Sequence, residues 1–392
     1  MLVAPKAGLL HAQWVDRAVL DQAGAAHSAR IEALRALAAL GVLVGHAWGW
    51  SQGYGAGAYD GVLARALLGG GFGVFLFFAL TGYLLFLPFA RASWGDGPPV
   101  PLRRYARNRV LRILPLYWVV VGTYLVLLGD GLRDQWWRFA LMLQSFSPET
   151  VAKVVPPVWS LIVEVQFYLL LPLLAAGLRL VAGRSLRRAA GLVLALTLAG
   201  CLLRWGTVIT AQSSLVWRYS LPATACFFGP GLLLALLQVG WERGRPQWTT
   251  RSRLAEPWVW VAAAALLTAL VIWRYEWDLL LLPACFLLLG AAVLPLRSDR
   301  GLRWLGWRPL GLLGLASYSL YLWHEPLVRL LAQASWLPDG FGLLLLASGS
   351  VSILVAVVSY RLVELPFLRL RKPAPADRHR IGALSDDAPA RR

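Results

Sequence analysis

Long apolar segments alternate with short charged segments along most of the chain, between Ala36 and Val363. Many of the apolar segments reach about 20 residues, the length that a helix needs to cross a lipid bilayer. They lack the apolar–polar alternation of membrane-barrel strands. The pattern therefore predicts an all-α, polytopic membrane protein with about ten transmembrane helices. The predicted helices cover residues 34–50, 66–88, 112–129, 159–178, 189–206, 219–239, 257–273, 278–296, 309–332 and 341–363.

The composition fits a chain that lies largely in lipid. Hydrophobic residues make up 58% and charged residues 15% of the sequence, with a mean hydropathy of +0.60, whereas a soluble domain carries about 25% charged residues. Residues 1–30 show no apolar core followed by a small-residue cleavage site, so we expect no signal peptide. We expect a cytosolic N-terminal tail at 1–30, a membrane domain at 31–369 and a disordered cytosolic tail at 370–392.

The net charge of +18 invites a nucleic-acid interpretation, but its distribution favours another explanation. If the N-terminus is cytosolic, most of the 38 lysines and arginines fall in the two tails and the cytosolic loops. This asymmetry is the positive-inside rule, and we therefore expect no nucleic-acid partner. It predicts a multi-pass protein of the plasma (inner) membrane with both termini cytosolic and with loops 51–65 and 130–158 outside.

The first predicted helix carries charged groups on an otherwise apolar run. Arg35 precedes this run and His46 follows it, eleven positions later. At 100° and 1.5 Å per residue the two side chains share one helix face, roughly 16 Å apart along the axis. Gly41 and Gly45 form a small-xxx-small pair where a neighbouring helix can approach. Ionisable groups inside a membrane are energetically costly and usually functional, so we interpret the helix face that carries Arg35 and His46 as part of a site.

Other helices place polar groups at comparable depth. Glu164 lies one to two turns inside the fourth predicted helix, and Ser317, Tyr321 and His324 share one face of the ninth. Arginines gather at the predicted cytosolic end, where they suit a phosphate-rich donor, and a histidine above them suits general-base work on a hydroxyl. The three cysteines lie in apolar runs and fit neither a disulfide framework nor a zinc site, and we expect no metal site.

Six motifs give the chain a resemblance to the acyltransferase 3 family of multi-pass membrane acyltransferases. They occur in family order over residues 31–369. Two departures are Glu32, where the family more often has aspartate, and Glu325, where it usually has an aromatic or apolar residue. The motifs are Arg35-x10-His46, residues 77–83, Arg109-x-x-Arg112-Ile-x-Pro115-x-Tyr117, residues 159–168 with Trp159, Ser160, Glu164 and Tyr168, residues 317–324, and Tyr360-Arg-x-x-Glu364-x-Pro-Phe367.

The resemblance implies an O-acyltransferase that moves an acyl group, most often acetyl from cytosolic acetyl-CoA, to a hydroxyl of a cell-surface or secreted carbohydrate. Arg35, Arg109 and Arg112, with Arg361 at the same mouth, would hold CoA. His46 would act as general base or carry the acyl group, and Glu164 would orient His46 or bind the acceptor. The expected substrate-binding residues are Tyr117, Trp159, Ser160, Tyr168, Ser317, Tyr321, His324 and Glu364.

An alternative uses the same polar cavity without chemistry, as a transporter or flippase of an amphiphilic substrate. The sequence leaves open the acceptor, the acyl chain, the choice between a covalent acyl-enzyme and direct transfer, and the oligomeric state. No permanently bound cofactor is expected, and the bilayer, acyl-CoA and the hydroxyl acceptor are the expected partners.

Overall fold

A computed structural model describes residues 25–55, 60–127, 131–209, 214–244, 256–294, 296, 301–337 and 340–371. Helices occupy most of this part of the chain, and it contains no strand. The N-terminal tail before residue 25 and the C-terminal tail after residue 371 lie outside the described residues.

Sixteen α-helices form the described part of the bundle. Besides the α-helices there are a 3-10 turn at Gly70–Phe72 and a π-helical segment at Tyr360–Glu364. The helices are α1 (Ala25–Ser51), α2 (Gly61–Gly69), α3 (Gly73–Trp94), α4 (Leu102–Leu127), α5 (Trp136–Ala140), α6 (Val158–Ala182), α7 (Leu186–Ile209), α8 (Leu215–Arg218), α9 (Leu221–Thr224), α10 (Gly229–Arg243), α11 (Pro257–Trp273), α12 (Leu281–Val293), α13 (Arg308–Leu315), α14 (Ser317–Ala332), α15 (Phe341–Ser359) and α16 (Leu365–Arg369).

The all-α, polytopic architecture predicted from the sequence is confirmed, with a count close to the expected one. Within the described residues, eight helical segments are long and apolar enough to cross a membrane. The remaining two predicted spans differ in form. The seventh is the 17-residue helix Pro257–Trp273, and the ninth is divided at Ala316 into α13 and α14.

Helix α1 lies at the centre of the bundle and packs against α2, α3, α12, α13, α14 and α15. Glycine makes this packing possible. A Cβ on Gly41 would lie 3.0 Å from the carbonyl oxygen of Gly70, and a Cβ on Gly70 would lie 2.1 Å from that of Gly41. The small-residue face predicted for α1 therefore receives the turn between α2 and α3, which fixes the start of α3 beside the site.

A polar cluster holds the first turns of α3 from the opposite side. The Arg204 guanidinium donates to Asp278 Oδ2 from Nε at 2.9 Å and from Nη2 at 2.5 Å. It also lies over the rings of Phe75 and Phe227, 5.2 and 4.9 Å from their centroids. Because both charges are mostly buried and paired, this cluster ties α7, α3 and the start of α12 together.

Candidate functional site

Two cavities lie along the Arg35–His46 face of α1, and each holds one of these residues. The arginine cavity, about 340 Å³, is lined by Arg35. The histidine cavity, about 310 Å³, is lined by His46. Arg35 and His46 are roughly 16 Å apart along the helix axis, so the two cavities lie at successive depths in the bundle. The polar residues lining the arginine cavity are Glu32, Arg35, Thr81, Arg109, Arg112, Ser160, Glu164, Tyr168, Ser317, Tyr318, Tyr321, Tyr360 and Arg371.

Three arginines of the arginine cavity keep donor capacity. Arg35 Nη1 lies 3.3 Å from Glu32 Oε1, in a pair within one helix turn. The Arg109 guanidinium lies 5.8 Å from the centroid of the Tyr168 ring, and its buried Nε has no hydrogen-bond partner. Arg371 donates from Nη2 to the carbonyl oxygen of Asn108 at 3.3 Å, while its Nε is also without a partner.

Arg371 lies close to several other positive charges. Burial, together with the neighbouring Arg109 and Arg112, lowers the pKa of Arg371 below its usual range. Unsatisfied buried donors are rare in folded proteins, and both of these, Arg109 Nε and Arg371 Nε, belong to arginines that line the cavity. The arrangement can therefore accept an anion with several oxygen atoms, such as a phosphate.

Arg112 differs from these three because its charge already has a partner. It donates from Nη1 to Glu364 Oε1, and the Ser319 hydroxyl donates to Glu364 Oε2 at 2.9 Å. Its guanidinium also lies 5.4 Å from the centroid of the Tyr318 ring. Glu364 belongs to the π-helical segment, a feature found frequently at functional sites. Arg112 thus joins α4, α14 and the π-helical segment that follows α15.

Glu164 lines the arginine cavity and not the histidine cavity. Its Oε1 accepts a hydrogen bond from Thr81 Oγ1. Among the described contacts it has no hydrogen bond with His46. The sequence analysis expected Glu164 to orient His46 or to bind the acceptor. No direct contact joins Glu164 to His46, and the role of Glu164 stays a prediction.

The histidine cavity contains His46 with a second histidine beside it. The rings of His46 and His324 meet edge to face with centroids 5.0 Å apart. His324 Nδ1 lies 2.7 Å from the carbonyl oxygen of Tyr321. A carbonyl only accepts, so Nδ1 carries the proton and Nε2 is left as an acceptor. Both His324 Nε2 and His46 Nδ1 are buried without hydrogen-bond partners.

Aromatic side chains and one acid complete the histidine cavity. Trp159 stacks on Tyr219 with ring centroids 4.5 Å apart. Trp50 donates from Nε1 to Glu325 Oε1 at 3.2 Å, and Glu325 is buried. The segment before α6 contributes Ala152, Pro156 and Pro157 to the lining. Flat aromatic walls with a few fixed polar groups are typical of sites for amphiphilic or carbohydrate-like ligands.

Several predicted site residues lie away from the cavity surfaces. Tyr117 donates to the carbonyl oxygen of Phe139 and accepts from Gln144 Nε2 at 2.9 Å, so it anchors the segment after α5. Arg361 is exposed and lines neither cavity. Glu364 and His324 line neither cavity but contact the lining residues Arg112 and His46.

The sequence analysis did not assign every lining residue to the site, and Thr81 and Arg371 are two of those that it missed. Thr81 lies within the 77–83 motif, so its position was marked but its bond to Glu164 was not. Arg371 was assigned to the C-terminal tail, and only the return of the chain after α16 brings it to the cavity. Over the described ranges, no group of three or more histidine, cysteine or acidic side chains could hold a metal ion.

Comparison with known proteins agrees with the geometry. A family model described as an acyltransferase domain, that of acyltransferase 3, matches residues 28–361. No solved structure matches the chain.

The curated relatives are distant in sequence. YrhL of Bacillus subtilis (strain 168), named as a candidate peptidoglycan O-acetyltransferase, is 23% identical, covering 86% of this chain and 54% of YrhL. The exopolysaccharide production protein ExoZ of Rhizobium meliloti (strain 1021) is 26% identical, covering 76% of this chain and 90% of ExoZ. SACOL0978 of Staphylococcus aureus (strain COL), named as a candidate O-acetyltransferase, is 24% identical over 86% of this chain and 56% of its own.

This chain therefore spans about half the length of YrhL and of SACOL0978. The family model covers most of it, from the helix that carries Arg35 and His46 to the π-helical segment beside the arginine cavity. The chain belongs to the acyltransferase 3 family.

Proposed function

We propose that this protein is a membrane O-acyltransferase that moves an acyl group, acetyl in the simplest case, from cytosolic acyl-CoA to a hydroxyl of an extracytoplasmic carbohydrate. One observation carries the proposal. A single central helix places a cationic cavity at Arg35 and a histidine-lined cavity at His46. A reaction between a phosphate-rich donor and a hydroxyl acceptor needs these two environments close together in one protein.

The arginine cavity suits the donor. CoA carries several phosphate groups, and Arg35, Arg109 and Arg371 provide cationic donors on three elements around one space. A guanidinium binds phosphate through two parallel hydrogen bonds, which fixes orientation as well as charge. The positive-inside distribution of lysine and arginine supports a cytosolic position for this end of the bundle, on the side where acyl-CoA is found.

His46 is the group best placed for the chemistry. Its ring lies in the histidine cavity, where it takes the proton of the acceptor hydroxyl. The hydroxyl oxygen then forms a bond to the acyl carbon, the carbon–sulfur bond of the thioester breaks, and the sulfur leaves as the CoA thiolate. His46 returns its proton to that thiolate, so the products are an ester and CoA with a free thiol.

The acceptor class follows from the other walls of the histidine cavity and from the relatives. Stacked Trp159 and Tyr219 offer a flat apolar face, and Glu325 offers acceptors for hydroxyl groups. Names of two relatives refer to peptidoglycan O-acetylation and to exopolysaccharide production. A surface or secreted polysaccharide is the acceptor that agrees with both.

The test uses inverted membrane vesicles from the native host, which carry the acceptor, with acetyl-CoA labelled in its acetyl group. We expect label in the glycan fraction and free CoA in equal amounts. His46→Ala should lower both by about 10²–10⁴-fold, whereas Val44→Ala, on the same helix but lining neither cavity, should not. Movement of a substrate across the vesicle membrane without any CoA release would support the transporter alternative and refute the proposal.

A further inference from the structure

The two cavities share two lining residues, Tyr321 and Val74. We propose that these two side chains form the barrier between the cavities, and that the gap between them limits the size of the acyl group that reaches His46. The inference rests on the proposed acyl transfer and adds a residue-level determinant of which acyl-CoA the protein uses.

Tyr321 is held in place at both ends of its side chain. Its hydroxyl lies 2.7 Å from Ser160 Oγ and donates to the carbonyl oxygen of Pro157 at 3.1 Å. Ser160 lines the arginine cavity and Pro157 the histidine cavity, so these bonds lie on the boundary itself. The ring packs edge to face on Phe77, with centroids 5.7 Å apart. The ring therefore stands as a fixed partition.

Val74 forms the other side of the gap and is equally constrained. It lies in the first turn of α3 and is buried. The residue before it, Gly73, approaches α1 so closely that a Cβ there would lie 2.4 Å from the carbonyl oxygen of Ala38. The residue after it, Phe75, stacks on Phe227 with ring centroids 3.8 Å apart. The backbone at Val74 therefore cannot withdraw to widen the gap.

A rigid gap selects by size. The acyl group is the only part of the donor that has to pass, because the phosphates stay with the arginines and the attacking hydroxyl comes from the His46 side. Each additional methylene in a close-fitting apolar pocket changes specificity by roughly 10–200-fold. If the proposed gap sets the limit, a butyryl group should pass far less readily than an acetyl group.

The experiment compares kcat/KM for acetyl-CoA and butyryl-CoA in inverted membrane vesicles from the native host, with label in the acyl group. Val74→Ala removes two methyl groups at the gap and should raise the butyryl-to-acetyl ratio by roughly 10-fold or more. Val74→Ile adds one methylene and should lower acetyl transfer. Tyr321→Leu removes the partition from the other side and should raise the ratio as Val74→Ala does.

Two control variants enlarge one cavity away from the shared wall. Leu84→Ala opens the arginine cavity and Val42→Ala the histidine cavity, since each residue lines only that cavity. Both should leave the butyryl-to-acetyl ratio within about threefold of wild type, well below the change expected for one methylene.

The outcomes separate this inference from the proposed function. If wild type transfers acetyl but the butyryl-to-acetyl ratio is the same in the Val74, Tyr321 and control variants, the two side chains do not form a barrier. The proposed acyltransferase function is then unaffected. A ratio that rises equally in Leu84→Ala and Val74→Ala also overturns it, because cavity volume and not the shared wall would then set the selection. If wild type releases no CoA from either donor, the proposed function is refuted, and the proposed barrier is refuted as well.

Discussion

Replacement of Glu364 by glutamine should destabilise the protein strongly, although glutamine has nearly the same shape. Glu364 is 2% exposed and holds Arg112 with one oxygen and the Ser319 hydroxyl with the other. The neutral amide of Glu364→Gln can still accept from Ser319, but it no longer balances the guanidinium. Arg112 would remain in the bundle, 14% exposed at its side chain, as a buried charge without a counter-charge.

Removing one partner of a buried ion pair costs about 3–5 kcal/mol, because the other charge is left uncompensated. The chain provides a matched control in Arg91 and Glu242, a pair of the same chemistry with an Nη2–Oε1 distance of 2.5 Å and side chains 43% and 38% exposed. An exposed pair contributes about 0.2–1 kcal/mol. Glu364→Gln should therefore lower the free energy of unfolding several times more than Glu242→Gln.

The assay is denaturant unfolding of the purified protein in detergent, followed by the fluorescence of its tryptophans. A double variant, Arg112→Met with Glu364→Met, should recover most of the lost stability, since an apolar pair of similar volume often replaces a buried ion pair without loss. It should also bind CoA within a few-fold of wild type, because Arg35, Arg109 and Arg371 remain.

Equal stability of Glu364→Gln and Glu242→Gln would show that the Arg112–Glu364 pair does not hold α4, α14 and the π-helical segment together. Recovery of stability in the double variant with loss of CoA binding would show instead that Arg112 itself contacts the donor, as the sequence suggested.

Three further predictions concern the donor site, the packing of α1 and the topology. Arg109→Ala should weaken CoA binding, measured by calorimetry, by about 10–100-fold, because it removes one charged hydrogen bond of about 1.5–3 kcal/mol. Arg103→Ala, at an exposed position on the same helix, should leave CoA binding unchanged. Gly70→Val should abolish folding, whereas Gly71→Ala should not, as judged by gel filtration. A Cβ at Gly70 would meet backbone atoms of Gly41, but a Cβ at Gly71 would have no atom within 4 Å. Single cysteines in loop 130–158 should react with an impermeant thiol reagent in intact cells, and cysteines in the connection 95–101 between α3 and α4 should react only after lysis.

The architecture of this protein was largely readable from its sequence. Apolar runs about 20 residues long permit few folds other than a helical bundle in a membrane. Arg35 and His46 were recognisable because charges inside such a run are costly, and their eleven-residue spacing fixes a shared face on a helix. Gly41 and Gly45 marked the face of α1 that a neighbouring element approaches, which the contact with Gly70 confirms.

The partition of the polar residues between two cavities was not readable, because it depends on how separate helices meet. Glu164 and His46 lie at similar predicted depth, yet they line different cavities. Arg112 and Arg361 resemble Arg109 in the sequence, but one pairs with Glu364 and the other is exposed. Such differences follow from helix rotation and from the π-helical segment, for which a periodic pattern contains no signal.

CoA affinity measured side by side for wild type, Arg35→Lys and His46→Ala separates donor binding by Arg35 from catalysis by His46. Lysine keeps the charge but loses the planar pair of donors, so Arg35→Lys should bind CoA more weakly and keep some turnover at saturating acetyl-CoA. His46→Ala should bind CoA like wild type and lose about 10²–10⁴-fold in transfer. Wild-type affinity in Arg35→Lys together with lost affinity in His46→Ala would show that the two residues have the opposite roles.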